Sequence, residues 1–435
     1  MALGGGTFVA QNKVLPGAYI NFVSLASASD TLSDRGIVTM PLELDWGVEN
    51  EVFEVTNEDF QKNSIKIFGY PYDHEKMKGL RDLFKNINTL YAYRVNSGGV
   101  AASNTYATAK FTGVGGNNIS ISIKNNVDDK SLCDVQTIVS GVVVDTQIVA
   151  QWSELVENDF VTWVENETLR VMSPFALTGG KNGTVDGTAH QTYLDKIESY
   201  SFNALGVITT EDTVKSLYTN FCKRLRDEIG AKFQAVIYQE AADFEGVINV
   251  KNKVTDAGWD ESCLVYWVTG IAAGCAVNKS NLNKVYDGEF TVDANFTQVQ
   301  LIKAIKDGEF TLHKVGSDIR VLEDINSLVT VSDTKGEIFK DNQTIRVIDQ
   351  IANDIAVLFN TKYLGVVPND AAGRISLWTD IVKHHEQMQS IRAIENFSDE
   401  DVTVFQGDNK KAVIVNDAVT VVNAMAKLYM TVTVA

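Results

Sequence analysis

Five histidines, four cysteines and fifty-six carboxylates are the side chains of this 435-residue chain that could do chemistry. The histidines are His74, His190, His313, His384 and His385. None belongs to an HExxH pair, and none stands at metal-ligand spacing from a cysteine. His384 and His385 are neighbours on a stretch patterned as a helix. Their Cα–Cβ bonds leave its axis about 100° apart, so they should not face one metal together; an exposed, partner-facing pair is expected. The cysteines, Cys133, Cys222, Cys263 and Cys275, include no CxxC. That spacing fits neither a disulfide framework nor a zinc site, and buried free thiols are expected.

Phosphate and acyl chemistry fare no better. Gly113-Val114-Gly115-Gly116 lies between two strand patterns, whereas a phosphate loop must open a helix whose amides cradle the ligand. Gly179-Gly180-Lys181-Asn182-Gly183-Thr184 lacks the GxxxxGK[ST] spacing. Serine, histidine and aspartate are all present, so composition leaves a hydrolytic triad open, yet no GxSxG elbow selects a nucleophile. No catalytic residue, metal ligand or cofactor is therefore assigned. A soluble α/β hydrolase-like enzyme with an inserted β domain stays open as the alternative.

Charge narrows the partners. The net charge is −18, which supplies no phosphate-tracking basic face and argues against nucleic-acid binding. Copies of the chain repel at long range, so self-assembly must rest on close contacts. No apolar run reaches the roughly 18–20 residues that span a membrane, so no stable membrane association is expected. The first residues lack the basic and apolar regions of a secretory signal, which implies a protein made in the cytoplasm. Residues 361–392 run against the acidic trend, with Lys362, Arg374, Lys383 and Arg392 against Asp370, Asp380 and Glu386. That helix face either meets an acidic partner or is simply solvated.

The elements that must position these residues suggest a multidomain chain of α/β and α+β parts. An N-terminal arm covers 1–24, a first part of the core 25–99, and an inserted all-β domain 100–184. The insert is marked by alternating strands at 107–112, 119–124, 135–139 and 142–149 between glycine-rich turns. A central α/β domain, 185–330, alternates helices (191–200, 211–229) with strands (204–209, 233–238, 263–267), the pattern of a mainly parallel sheet. A C-terminal α+β domain, 331–426, carries helices 341–360 and 373–391, strands near 402–405 and 412–415, and a helix over 417–427. Both ends read as extended strands, Gly17–Val23 and Lys427–Val434. In the latter, Leu428, Met430, Val432 and Val434 alternate with Tyr429, Thr431 and Thr433, the period of a strand with one buried face. Neither has a neighbour in sequence to pair with, so both are expected to be donated to another subunit.

The leader Gly4-Gly5-Gly6-Thr7-Phe8-Val9-Ala10-Gln11-Asn12-Lys13-Val14-Leu15-Pro16-Gly17-Ala18-Tyr19-Ile20-Asn21-Phe22 closely resembles the start of contractile phage tail sheath proteins of Gram-positive myophages, defective prophages and phage-tail-like bacteriocins. Leu15 stands where such leaders commonly carry a basic residue. The likeness continues through Leu177-Thr178-Gly179-Gly180, Val268-Thr269-Gly270-Ile271-Ala272-Ala273-Gly274 and Asp324-Ile325-Asn326-Ser327-Leu328-Val329-Thr330. The resemblance implies a structural subunit that needs no cofactor. Its terminal arms would add strands to neighbouring subunits through Val14, Tyr19, Ile20, Phe22, Leu428, Met430, Val432 and Val434. Such subunits stack as hexameric rings into a helical sheath around an inner tube, between a baseplate and a tail terminator. Assembly would take place in the host cytoplasm, with release on lysis. The resemblance also implies a tube-facing C-terminal domain, which makes Arg374, Lys383, His384 and His385 the candidate tube contact. A secretion-type injection machine is the other contractile reading.

Overall fold

The computed structural model describes residues 32–434. It divides into two compact units. One takes in residues 32–33 and Asn353–Thr420; the other takes in Asp34–Ala352 and the residues from Val421 onward.

The larger unit is built on a seven-stranded sheet. Strands β1 (Ile37–Leu42) and β2 (Val52–Thr56) are followed by helices α1 (Asn57–Phe68) and α2 (Lys78–Phe84) and by β3 (Thr89–Arg94). An excursion then forms seven short strands: β4 (Ala101–Ser103), β5 (Ala107–Thr112), β6 (Ile119–Asn125), β7 (Cys133–Val139), β8 (Val142–Val149), β9 (Val161–Trp163) and β10 (Met172–Ala176). The chain returns through α3 (Gly187–Ile197), β11 (Ala204–Val207), α4 (Asp212–Arg224), β12 (Gln234–Tyr238), β13 (Val247–Val250), α5 (Leu264–Gly274), α6 (Gln298–Lys306) and β14 (Glu309–Phe310). A hairpin of β15 (Leu312–Val315) and β16 (Asp318–Val321) follows.

The large sheet runs β14-β13-β12-β11-β1-β3-β2, and every neighbouring pair is parallel except β2 with β3. Sheets of this kind are covered on both faces, so their strands are apolar throughout. In β12, Val236 and Tyr238 join the layer under α2 and α5, while Ala235 and Ile237 join the layer under α3 and α4. Helix α5 lies very close to the end of α2: a Cβ on Gly274 would stand 1.7 Å from the Asn86 carbonyl oxygen. Only glycine allows that approach.

The excursion packs two sheets, β10-β6-β7-β8 and β4-β5-β9, around Ile119, Ile121, Val135, Phe160 and Val161. Polar ties fasten it to the large sheet. The Asp45 carboxylate accepts from Asn182 Nδ2 at 2.8 Å, and Glu49 accepts from the Thr112 amide at 2.9 Å. Gly113 precedes, and Gly115 and Gly116 sit in, a single 3-10 turn (Val114–Asn118) between β5 and β6, and no α-helix opens there.

The smaller unit consists of the last turns of α7 (Asn342–Leu358), then α8 (Ala371–Ser390), β17 (Ile394–Glu395), β18 (Val402–Gln406) and β19 (Val413–Asp417). Asp370 caps α8 by accepting from the Gly373 amide at 2.8 Å, as a short acidic side chain does at a helix start.

Two expectations are overturned. The apolar run 263–267 is not a strand: α5 begins at Leu264, and Leu264, Val265, Trp267 and Val268 are buried in a helix that is apolar all round. Such a helix carries no amphipathic period to read. The 417–427 helix is also absent, because Asp417 closes β19 and residues 422–427 form no helix.

Candidate assembly site

The C-terminal segment starts from a fixed root. Gln343 uses its carboxamide as a strand uses its peptide: Nε2 donates to the Val422 carbonyl at 3.0 Å, and Oε1 accepts from the Ala424 amide at 2.9 Å. Asn423 and Thr344 exchange a further side-chain bond at 3.1–3.2 Å. Beyond Ala424 the backbone forms no ladder with any described residue up to Val434. Leu428 is 84% exposed, Met430 73%, Val432 69% and Val434 89%. Four large apolar side chains at alternating positions are thus left in water. Val14, Tyr19, Ile20 and Phe22, the matching residues of the N-terminal arm, lie outside the described residues.

In the smaller unit, β18 and β19 pair antiparallel from Val402↔Asp417 to Gln406↔Val413 and form a two-stranded sheet among the described residues. Trp378 Nε1 of α8 donates to the Val402 carbonyl at 2.9 Å and holds the hairpin on the helix. Phe405, Ile414 and Val415 are exposed. A short sheet with open edges and apolar side chains is a template for strand addition.

Beside the hairpin lies a cavity of about 440 Å³, lined by Phe359, Tyr363 and Leu377 and by the cations Arg374, Lys410 and Lys411. Asn369 sets its geometry. Its Nδ2 donates to the Ala412 carbonyl at 2.8 Å, while its own carbonyl and Oδ1 accept from Arg374 at 3.2 and 3.0 Å. Lys410 and Lys411 stand in the turn joining β18 to β19. The candidate tube contact did not include them, although the charged, polar run Gly407-Asp408-Asn409-Lys410-Lys411 between two apolar strands was a readable turn signal.

The candidate tube contact is divided by the structure. Lys383 is exposed and Arg374 half-buried. His384 and His385 are 3% and 0% exposed, which corrects the expectation of an exposed pair. Each ring meets its own carboxylate: His384 Nε2 lies 3.0 Å from the buried Asp354, and His385 Nε2 lies 2.8 Å from Asp417 at the surface. The two Nδ1 atoms are 3.2 Å apart. The helical step separates the Cβ directions, yet the rings converge.

Among the described residues no group of three or more histidine, cysteine or carboxylate side chains could hold a metal ion, and no helix is long and apolar enough to cross a membrane. All four cysteines are free thiols.

Family models of tail sheath proteins match successive parts of the chain. They are the domain III N-terminal region over 35–95, the β-sandwich domain over 97–182, the central domain over 183–327 and the C-terminal domain over 334–435. The XkdK protein of the phage-like element PBSX of Bacillus subtilis (strain 168) is 30% identical, over 99% of this chain and all of that protein. The tail sheath protein of Clostridium phage phiCD119 is 29% identical over 48% of this chain and 58% of its own length. Among solved structures, the sheath tail protein of Desulfitobacterium hafniense superposes with a TM-score of 0.82 at 33% identity, covering 95% of this chain and 99% of that one. The contracted helical sheath of the anti-feeding prophage shares the fold, with a TM-score of 0.56 at 12% identity. The chain belongs to the contractile phage tail sheath proteins, a family of structural subunits and not of enzymes.

Proposed function

We propose that this subunit polymerises by strand donation into hexameric rings, stacked helically around an inner tail tube. The sheath contracts by rigid-body rearrangement of its subunits and drives the tube through a target envelope. The observation that carries this reading is the C-terminal segment. It has a root fixed by Gln343, an exposed apolar alternation from Leu428 to Val434, and no ladder partner among the described residues. The β18–β19 hairpin supplies what such a strand needs, namely open edges and exposed apolar side chains. Pairing there satisfies the donated backbone and covers both sets of apolar groups.

Each arm also tethers its subunit, so contacts between subunit bodies can break and re-form while the lattice holds. The stored energy is that of the assembled lattice, and no nucleotide is consumed. The N-terminal arm, with Val14, Tyr19, Ile20 and Phe22, would act in the same way. Arg374 and Lys383 are proposed as the charged part of the tube contact, joined by Lys410 and Lys411. The particle is a phage tail or phage-tail-like device, assembled in the host cytoplasm and released on lysis, with baseplate and terminator proteins at its ends.

Cysteine pairing tests the donation. In a chain carrying Cys133→Ser and Cys275→Ser, Val432→Cys is combined in turn with Thr403→Cys and with Val415→Cys. Assembled material oxidised and run without reductant should give a ladder of covalent multimers for at least one combination. Monomer bands alone from both combinations would overturn the pairing.

A further inference from the structure

The smaller unit contains a polar chain, buried at its centre and open to solvent at its ends, that sheath assembly does not call on. It runs Ser33–Asp354–His384–His385–Asp417. Ser33 Oγ donates to Asp354 Oδ1 at 2.5 Å, Asp354 Oδ2 meets His384 Nε2, the two Nδ1 atoms face each other at 3.2 Å, and His385 Nε2 meets Asp417 Oδ2. His384 and His385 lie on α8, Asp354 on the last turns of α7, and Asp417 at the end of β19. Three separate stretches of the unit meet here. Ser33 is the last residue before the chain leaves the unit, Asp354 follows its re-entry at Asn353, and Asp417 precedes its exit after Thr420.

Proton bookkeeping fixes the state of this chain. An ionised carboxylate only accepts, so each Nε2 facing one must carry a proton. Two bare Nδ1 lone pairs at 3.2 Å would repel, and two N–H groups would clash. One proton between them makes a hydrogen bond of ordinary length. We propose that His384 and His385 share a single proton between their Nδ1 atoms, and that this imidazole–imidazolium pair is a proton-operated clamp holding the three stretches together.

The single positive charge sits between two carboxylates, which suits a site where both rings are shut off from water. On α8, Asp380 lies one turn earlier and is taken by Lys362 Nζ at 2.6 Å and by the Tyr363 hydroxyl, while Lys383 and Glu386 are exposed. The uncharged ring of Phe397 also packs on His385, 5.1 Å between centroids. A fourth proton would place two N–H donors face to face, break the Nδ1–Nδ1 bond and open the clamp. Removing the third would leave two lone pairs opposed. The clamp is thus closed only while the pair holds three protons.

The test uses the full-length chain with ¹⁵N-labelled histidine, sedimented and examined by solid-state magnetic resonance. The expected result is a scalar coupling between the Nδ1 atoms of two rings, with both Nε2 atoms protonated. As pH is lowered from about 8 to about 5 the coupling should vanish. Amide exchange at 414–417, corrected for its intrinsic pH dependence, should then quicken about tenfold relative to the amides of β12. His384→Gln keeps a donor toward Asp354 but has no Nδ1; it should abolish the coupling and flatten the pH response of 414–417 while the chain stays folded. Two uncoupled neutral rings in the starting material, or the same pH response in His384→Gln, would overturn the proposal.

Discussion

Asp349 and Arg226 meet in two parallel contacts of 2.6 and 2.8 Å, with 9% and 3% of their side chains exposed. Burial alone would weaken the hold of the guanidinium on its proton. The Asp349 charge outweighs that effect and pushes the Arg226 pKa up. The pair joins the π-turn Leu225–Ile229 after α4 to the part of α7 packed in the larger unit, and Arg226 also donates to the Phe233 carbonyl at 2.6 Å. Its Nε is buried with no partner.

Breaking one side of this pair strands a buried charge. Asp349→Asn is expected to cost about 3–5 kcal/mol of unfolding free energy. The double change Arg226→Met with Asp349→Leu should restore most of it, because two apolar groups leave no charge behind. Urea denaturation of the chain, kept below its assembly concentration, measures both.

The Asp45 carboxylate makes stability depend on acid. Burial raises its pKa, but bonds from Lys76, Asn182 and Tyr70 outweigh burial and hold it below the ordinary carboxylate value. A depressed folded pKa adds stability above the unfolded pKa of about 3.9, which is lost as pH falls through the folded value. Melting temperature should therefore fall more steeply below about pH 4 in the parent chain than in Asp45→Asn. At neutral pH the variant should be less stable by about 2 kcal/mol. Equal acid dependence in the two chains would remove Asp45 from the account.

Gly274 is where α5 touches the residue after α2. A methyl group placed 1.7 Å from the Asn86 carbonyl oxygen cannot be accommodated unless the two segments separate. Gly274→Ala should destabilise the chain by about 3 kcal/mol. By contrast Gly258→Ala meets nothing within 4 Å, and its cost is set by its positive φ of 81° alone, about 1 kcal/mol. Parallel thermal melts of the two variants separate close approach from backbone strain.

The thiols should react in a fixed order. Burial pushes Cys222 and Cys263 up to about 12, and Cys222 is fully enclosed. The half-buried Cys133 should be alkylated first in the native chain. Cys222 and Cys263 should stay unmodified until denaturant is added, as mass mapping of alkylated peptides would record.

What the sequence disclosed tracks how local each signal is. Strands β5 to β8 were legible because turn residues bracket clean alternation, and α7 because Ile345, Ile348, Ile351 and Ile355 repeat on one face. Leu264-Val265-Tyr266-Trp267 misled because a helix buried on every side carries no polar stripe. The strand Val247–Val250 is four residues long and gives almost no pattern. The histidines showed only their adjacency. Their partners Asp354 and Asp417 lie 30 and 32 residues away, so nothing local told of burial. The terminal arm is the opposite case: its alternation is plain in the sequence, but the partner we propose for it belongs to another copy of the chain.

The central claim is that the last eight residues join subunits together. Electron microscopy in negative stain, of the full chain beside one ending at Lys427, tests it most directly. The account predicts striated tubes or rings from the full chain, and soluble single subunits with an unchanged melting temperature from the shortened one. Compact particles of the same size from both chains would contradict it.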